Sequence, residues 1–495
     1  MQTIGTTDAG EPLHIILISS DKKNTPEQWH KKNRLIILIN NGIHPGEPDG
    51  IDASMMMTRD IATKIEQDSF PENIALAIIP IYNIGGCLVR SEFNRVDQNG
   101  PEAFGSRGNS QNLDLNRDFI KCDSKEARSF SQLFHWLQPD IFIDNHVSDG
   151  ADYQHVMTLA TTQHNKLGGK MGQYIHDVFD TALFDQMKSK NYPMIPYVNV
   201  WGQDASDGWT QFFDAPRYSS GYAALFNTFA FTIETHMLKP YVQRVDATYE
   251  LMQTIVDYAS TNYDILKVLR KSANESMLAQ TYFPIAWKND ETKFSEYEFL
   301  GYQYKTRTSK VSGLPVKYYD RNDIYSKKIK IKDTYIPTIT VKAPLAYIIP
   351  QGCWKIIELL KDNQVDMICF DENQNLDVEA YKIINYKSNA TPYEGHHANY
   401  KVELESFQTK IEVRKGDYYI PSNQINKRFI IEVLEPQGSD SYFSWNFFDA
   451  FLIQKEGYSD YAYEEYAAEY LDQHPEIKLL LKQKCATDTA FANNA

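Results

Sequence analysis

Glu47 follows His44 by three residues in "NNGIHPGEPDG", a stretch too rich in Gly, Pro and Asn to be a helix. An imidazole and a carboxylate supply two of the three protein ligands that a catalytic zinc takes, the fourth position staying open. His146 is the candidate for the third, because it ends the apolar run "IFIDNH", just as "LIILINN" runs directly into the loop of His44. In open α/β sheets ligand sites gather beyond the carboxyl ends of strands, and both histidines obey that rule. Taken singly, each residue has a plainer use: His44 as a loop histidine, Glu47 as a solvated or helix-starting carboxylate, His146 as a buried ring satisfied by a carbonyl.

The segment "GSRGNSQNLDLNRDF" adds Arg107, Asp114, Asn116 and Arg117. Arg pairs bidentately with carboxylates and Asn adds a neutral donor, so Asn116 and Arg117 would make a fork for a substrate carboxylate. The competing use is a loop brace hydrogen-bonded to carbonyls. Asp114 could take the second N–H of His44, as carboxylates commonly do for ligating histidines. Water activated at a metal also needs a group to take its proton and return it to the leaving atom. Glu234 fits, since "FAFTI" before it predicts a partly desolvated carboxylate with a raised pKa; an edge-strand glutamate paired with Lys or Arg is the alternative. His236, two residues on, is a weaker competitor for ligand status.

The elements that must position these residues read as alternating strands and helices. Apolar runs at Leu35 to Asn40, Ile74 to Asn83, 140–146 and 228–236 are short enough for buried strands. Helices are expected at 49–65, at 125–138 with Ser124 as N-cap and Pro139 as stop, and after Pro240, where Val242, Val245, Leu251 and Ile255 keep helical spacing. Such alternation predicts an α/β fold with a mixed, mostly parallel sheet flanked by helices. Beyond about residue 290 the pattern turns to alternating apolar and polar residues, as in "KKIKIKDTYIPTITV" and "KVELESFQTKIEV", which predicts half-exposed strands. A short helix is expected at "CWKIIELLKDN", a terminal helix after Ser459, and frayed residues after 485. Two domains are therefore expected, 1–260 carrying the chemistry and a β-rich 261–495 with a terminal helix.

The net charge of -15 opposes the basic surface that nucleic acid requires. No apolar run approaches the length of a membrane span, and the N-terminus lacks a basic start followed by an apolar segment. Five scattered cysteines, with no Cys-x-x-Cys pair, indicate neither a disulfide scaffold nor a thiolate metal site.

Taken in order, "IGTTDAGEPLHIILIS", "HPGE", "LDLNRDF", His146 and Glu234 resemble the zinc carboxypeptidases of the funnelin type, related to pancreatic carboxypeptidase A, over roughly residues 3 to 255. The resemblance implies one Zn²⁺ on His44, Glu47 and His146, a substrate carboxylate on Asn116 and Arg117, and Glu234 as general base and acid. It implies Arg107 as the arginine that stabilises the oxyanion, with Arg95 as its rival. The substrate would be a peptide, cell-wall peptide or peptide-like molecule with a free carboxylate, and the enzyme would be secreted or periplasmic. A capping tyrosine has no clear counterpart. Tyr218 and Tyr222 lie too close to Glu234, Arg217 could bind substrate instead, and Ser219 falls near the expected specificity pocket. Two other readings stay open: a zinc-dependent N-acyl amino acid deacylase similar to aspartoacylase or succinylglutamate desuccinylase, and a binding protein on a peptidase scaffold. In the last, the C-terminal region, with Trp354 and Trp445, would contact glycan or protein. The adjacent His396 and His397 are assigned no site.

Overall fold

Leu35–Asn40 and Ile74–Ile79 are buried at all six positions, and Ile141–Ser148 at all eight. Continuous apolar runs of this length form strands covered on both faces, the environment of a parallel sheet between helices. The computed structural model describes residues 1–21, 24–67 and 69–493. Its strands in chain order are β1 (Gln2–Thr6), β2 (Pro12–Ile18), β3 (Leu35–Asn40), β4 (Ile74–Ile79), β5 (Ile141–Ser148), β6 (Met157–Thr161), β7 (Ile195–Pro196), β8 (Trp209–Thr210) and β9 (Phe229–His236). They are followed by β10 (Tyr282–Asn289), β11 (Ser295–Thr308), β12 (Pro315–Lys332), β13 (Tyr335–Lys342), β14 (Ala346–Ile349), β15 (Ile368–Cys369), β16 (Gln374–Ser388), β17 (Asn399–Val413) and β18 (Tyr418–Pro421).

Eight strands make one mixed sheet in the order β1-β2-β4-β3-β5-β9-β6-β7. β3 runs parallel to both β4 and β5, and β5 parallel to β9. The chain leaves β3 for β4 on one side and later returns to β5 on the other, which makes the carboxyl ends of β3 and β5 a switch point where ligands bind. Pro80 ends β4 earlier than the apolar run suggests, and Asn83 instead caps the short helix Ile84–Leu88. The expected helices form at Asp49–Glu66, Lys125–Leu137 and Tyr241–Thr261. Ser124 caps the second by accepting from the Ala127 N–H, and Gln138 closes it in a left-handed conformation before Pro139.

Compactness continues across the expected boundary at 260/261. The helix Tyr263–Ala279 sets Leu266 and Leu269 into the same core as β3, β4 and β9, while Lys267 and Arg270 pair with Asp140 at the start of β5. The β-rich part is anchored to the α/β part by β8, which pairs with β12, and by a bridge between Tyr153 and Gly301. The two compact units are Met1–Asn446 and Phe447–Ala495. The second unit holds the helices Asp460–Gln473, capped by Ser459, and Pro475–Thr487; Pro475 breaks what the pattern reads as one helix. A short helix follows at Thr489–Ala492, where fraying is expected. Among the described residues no helix is long and apolar enough to cross a membrane, and no cysteine is in a disulfide.

Arg244 ties the turns that carry the site's ends. Its guanidinium pairs with Asp49, at the start of the helix after Glu47, at 2.9 Å, and donates to the carbonyls of Met237 and Lys239, just past Glu234. Both side chains are buried. Arg244→Met strands a buried carboxylate, so it should cost about 3–5 kcal/mol. Urea unfolding followed by fluorescence reads this as a lower midpoint; an unchanged midpoint would refute the tie.

Candidate metal centre and active site

His44 sits in the loop that leaves β3, and His146 lies near the carboxyl end of β5. Their Nδ1 atoms are 3.2 Å apart, and the Glu47 carboxylate reaches each, at 3.3 Å from His44 and 3.2 Å from His146. All three are buried, and among the described residues they are the one group of three or more such side chains that could hold a metal ion. The outer Nε2 of His44 meets Asp114 at 2.9 Å, and that of His146 meets Asp144 at 2.9 Å. Asp144 is itself held by the Asn40 amide at 3.0 Å. With each Nε2–H given to a carboxylate, both Nδ1 atoms turn lone pairs toward one another and toward a carboxylate oxygen. Three acceptors converging in a buried place suit a shared cation, and two imidazoles with one carboxylate are a donor set that suits zinc.

The electrostatics follow from burial against pairing. Burial by itself raises Glu47, but His44 and Arg95 more than offset it and hold the carboxyl well below its usual range. Burial likewise raises Asp114, which His44, Arg107 and Arg117 bring far down. His146 is penalised by burial, yet Asp144 and Glu47 lift it well above the usual imidazole value.

β9 lies beside β5 in parallel register, which places Glu234 opposite His146. Glu234 is the one residue of β9 that is not fully buried. Desolvation pushes its carboxyl up to about 8, with His146 opposing and Glu47 reinforcing the shift. Among the described residues its carboxylate accepts no hydrogen bond and joins no ion pair, so the expected alternative of an edge-strand salt bridge does not occur. His236 is not a ligand: its Nε2 bonds the Ala151 carbonyl at 2.7 Å and its Nδ1 accepts from the Leu238 N–H.

Two arginines reach Glu47. Arg95 holds it at 2.8 Å and also bonds the Val147 carbonyl, whereas Arg107 touches it at 3.2 Å, pairs with Asp114 and keeps half of its side chain in solvent. The approach of Arg95 is helped by Gly46: a Cβ there would lie 2.8 Å from Arg95 Cδ and 2.9 Å from the Gly105 carbonyl. Asn116 accepts the Ser219 N–H on its Oδ1, which leaves its NH₂ free among the described residues. Arg117 bonds its neighbour's carbonyl through Nη1 and lies 4.6 Å over the Tyr218 ring.

Other expectations fail for physical reasons. Tyr222 is sealed among Phe119, Phe130 and Phe134, so it cannot cap a substrate. Arg217 is committed to Asp440 at 2.7 Å. Trp445 is fully buried and cannot serve a glycan platform, while Trp354 is exposed. Asp144 was legible and missed: strand alternation puts residues 144 and 146 on one face. Tyr393 and Glu394 carried no local signal. Yet Tyr393 Oη accepts from Arg117 Nε at 2.8 Å, and Glu394 accepts from the Asp114 N–H at 2.8 Å.

The geometry above is that of a buried His-Glu-His cluster behind a strand-end carboxylate. Residues 1–170 match the zinc carboxypeptidase family. No curated protein matches the chain. Among solved structures, the chain is similar to a metallo-carboxypeptidase from Burkholderia cenocepacia at 14% identity and TM-score 0.39, covering 52% of this chain and 64% of that one. It is also similar to a metallo-carboxypeptidase from Pseudomonas aeruginosa at 13% identity and TM-score 0.38, covering 53% and 64%. Carboxypeptidase A from Helicoverpa armigera shows 13% identity and TM-score 0.38, covering 52% and 68%. The chain thus spans 64% of the length of the first two. The zinc carboxypeptidase match covers His44, Glu47, Arg107, Asn116, Arg117 and His146; Glu234 and Tyr393 fall beyond it.

Zinc content by atomic emission should be one ion per chain and should vanish in His146→Ala. Asp144→Ala, which removes the Nε2 partner of His146 together with the acceptor of the Asn40 amide, should weaken zinc about 10–100-fold in competition with a chromophoric chelator. Unchanged affinity in both variants would rule out this cluster as the site.

Proposed function

We propose that the protein is a zinc-dependent carboxypeptidase that removes a terminal residue from peptides or peptide-like substrates bearing a free carboxylate. The observation that carries this reading is the unpaired, desolvated carboxylate of Glu234 set opposite His146 of the metal-ligating cluster. His44, Glu47 and His146 would hold the zinc, which would supply Lewis acidity toward water and the scissile carbonyl.

Glu234 then takes a proton from the attacking water as its oxygen bonds to the carbonyl carbon. It returns that proton to the nitrogen as the C–N bond breaks, leaving a shortened peptide and a free amino acid. The raised value already counts His146, Arg95 and Arg107 against burial; a zinc ion on the cluster would add positive charge and favour the ionised form that a base requires. Arg107 is better suited than Arg95 to the oxyanion, because half of its side chain faces solvent while Arg95 is spent on Glu47 and the Val147 carbonyl. The amide NH₂ of Asn116 and the Nη2 of Arg117, both free among the described residues, receive the terminal carboxylate.

A mixed peptide pool, each member as free acid and as C-terminal amide, incubated with zinc-loaded protein and read by mass spectrometry tests the reading. Single terminal residues should leave the free acids alone, and chelator should stop the loss. Arg107→Ala should keep its zinc and lose about a hundredfold to a thousandfold in turnover. Glu234→Gln should keep its zinc and lose all detectable hydrolysis. If both peptide forms survive while small N-acyl amino acids are cleaved, the activity is a deacylase and the peptidase reading is wrong.

A further inference from the structure

One end of the β11–β12 ribbon leaves the body of the protein. At its base Phe299, Ile329 and Ile331 are buried, Arg321 pairs with Asp152 at 2.7 Å, and Gly301 bridges to Tyr153 in the segment that follows β5. From Gln303 to Thr308 and from Lys310 to Lys317 every residue is exposed, so neither face of the ribbon is covered there. The pairs from Gln303–Asp320 to Thr308–Pro315 keep register and carry the ribbon about 20 Å further. Two-stranded ribbons in water are marginal by themselves, so this extension contributes little to the fold. Its turn is nevertheless well made. Ser309 Oγ accepts from the N–H groups of Val311 and Ser312, the Ser309 N–H donates to the Leu314 carbonyl, and Gly313 takes the positive φ of 72° that the turn requires.

The extension is basic on an acidic protein. Residues 303–319 hold Lys305, Arg307, Lys310 and Lys317 and no acidic residue, in a chain whose net charge is -15. Lys305 is neutralised by Asp320 and Asp323, whereas Arg307, Lys310 and Lys317 join no ion pair among the described residues. At the tip itself Val311 is 97% exposed and Leu314 65%. Apolar side chains therefore lead, and cations follow together with Tyr304, Tyr318 and Tyr319. A bilayer presents the matching order, acyl chains behind an anionic headgroup layer in which tyrosine rings settle. A soluble polyanion would meet the cations and leave Val311 and Leu314 in water. Nor are the tyrosines an open stacking platform, since Lys317 lies 3.8 Å from the centre of the Tyr304 ring and Arg307 4.9 Å from that of Tyr318.

We infer that the tip of the β11–β12 ribbon docks on an anionic lipid surface, with Val311 and Leu314 entering the acyl boundary and Arg307, Lys310 and Lys317 meeting the phosphates. The remainder of the chain is more negative still and is repelled by the same surface, which confines the contact to the tip. Each cation near an anionic bilayer strengthens binding about fivefold, and two apolar side chains keep the attachment reversible. The base of the ribbon is fixed to Asp152 and Tyr153, so docking sets the distance of the metal-ligating cluster from the lipid. The inference is independent of the proposed hydrolysis.

The test mixes the full chain with vesicles of phosphatidylcholine alone, or of phosphatidylcholine and phosphatidylglycerol in equal parts, and reads the bound fraction by co-sedimentation. Wild type should bind the anionic vesicles at least about tenfold more tightly than the neutral ones, and added salt should weaken that binding. The triple variant Arg307→Gln, Lys310→Gln, Lys317→Gln should lose about a hundredfold in affinity. The double variant Val311→Ser, Leu314→Ser should lose about tenfold. Both variants should keep the thermal midpoint and zinc content of wild type, because the tip touches neither the core nor the metal-ligating cluster. Absence of vesicle binding by wild type, equal binding to the two vesicles, or a serine variant that binds like wild type would each overturn the inference, the last by reducing the contact to attraction between a cationic loop and any polyanion. Self-association of wild type on light scattering that the serine variant loses, with no vesicle binding, would assign the tip to a second copy of the chain and overturn it as well.

Discussion

Asp114, His44, Glu47, His146 and Asp144 form an unbroken line of contacts in which carboxylates and imidazoles alternate, all of it buried at the carboxyl ends of β3 and β5. Three carboxylates so close together cannot be desolvated without compensation. The compensation shapes the neighbourhood: Arg95 and Arg107 on Glu47, Arg107 and Arg117 toward Asp114, the Val147 N–H on Glu47 and the Asn40 amide on Asp144. A cation held by His44, Glu47 and His146 would complete the same balance.

The sheet explains why the line and Glu234 meet. Parallel pairing of β5 with β9 fixes His146 opposite Glu234, and a one-residue slip would move Glu234 to the other face. Burial at every position of β5 and at all but one of β9 penalises any such slip heavily. Register, set by apolar packing across the sheet, thus determines which carboxylate faces the cluster, and the tie between Asp49 and Arg244 holds the chain where it leaves those strands.

What could be read from the chain was whatever has a local pattern. His44, Glu47, His146 and Glu234 stand at the ends of apolar runs, so the strand ends that bring them together are visible in hydrophobic pattern alone. Asp114 lies two residues before Asn116, and its pairing with His44 followed from the chemistry of imidazole ligands. The boundary at residue 260 followed composition, which changes where the long ribbons β11–β12 and β16–β17 begin to expose both faces. Packing does not follow that change, because the helix Tyr263–Ala279 keeps one apolar side in the first core. Contacts such as Tyr393 with Arg117 depend on how a distant ribbon docks, and no periodicity near residue 393 encodes that.

The same docking bears on Asn116. Its amide is oriented by the Ser219 N–H, and Ser219 lies two residues after Arg217, whose backbone N–H and guanidinium are both held by the buried Asp440. A carboxylate taken out of water in this way costs free energy unless its lone pairs are satisfied, and Asp440 takes a backbone donor and a guanidinium from one residue. Beside it, Lys166 donates to the carbonyls of Asp214 and Gly221, and Arg428 pairs with Glu432 and donates to the Lys166 carbonyl. The loop that orients Asn116 is therefore held from residues 428–440. The region beyond the family match thus reaches this segment by two independent routes, touching Arg117 directly through Tyr393 and orienting the Asn116 amide through the loop at Arg217 and Ser219.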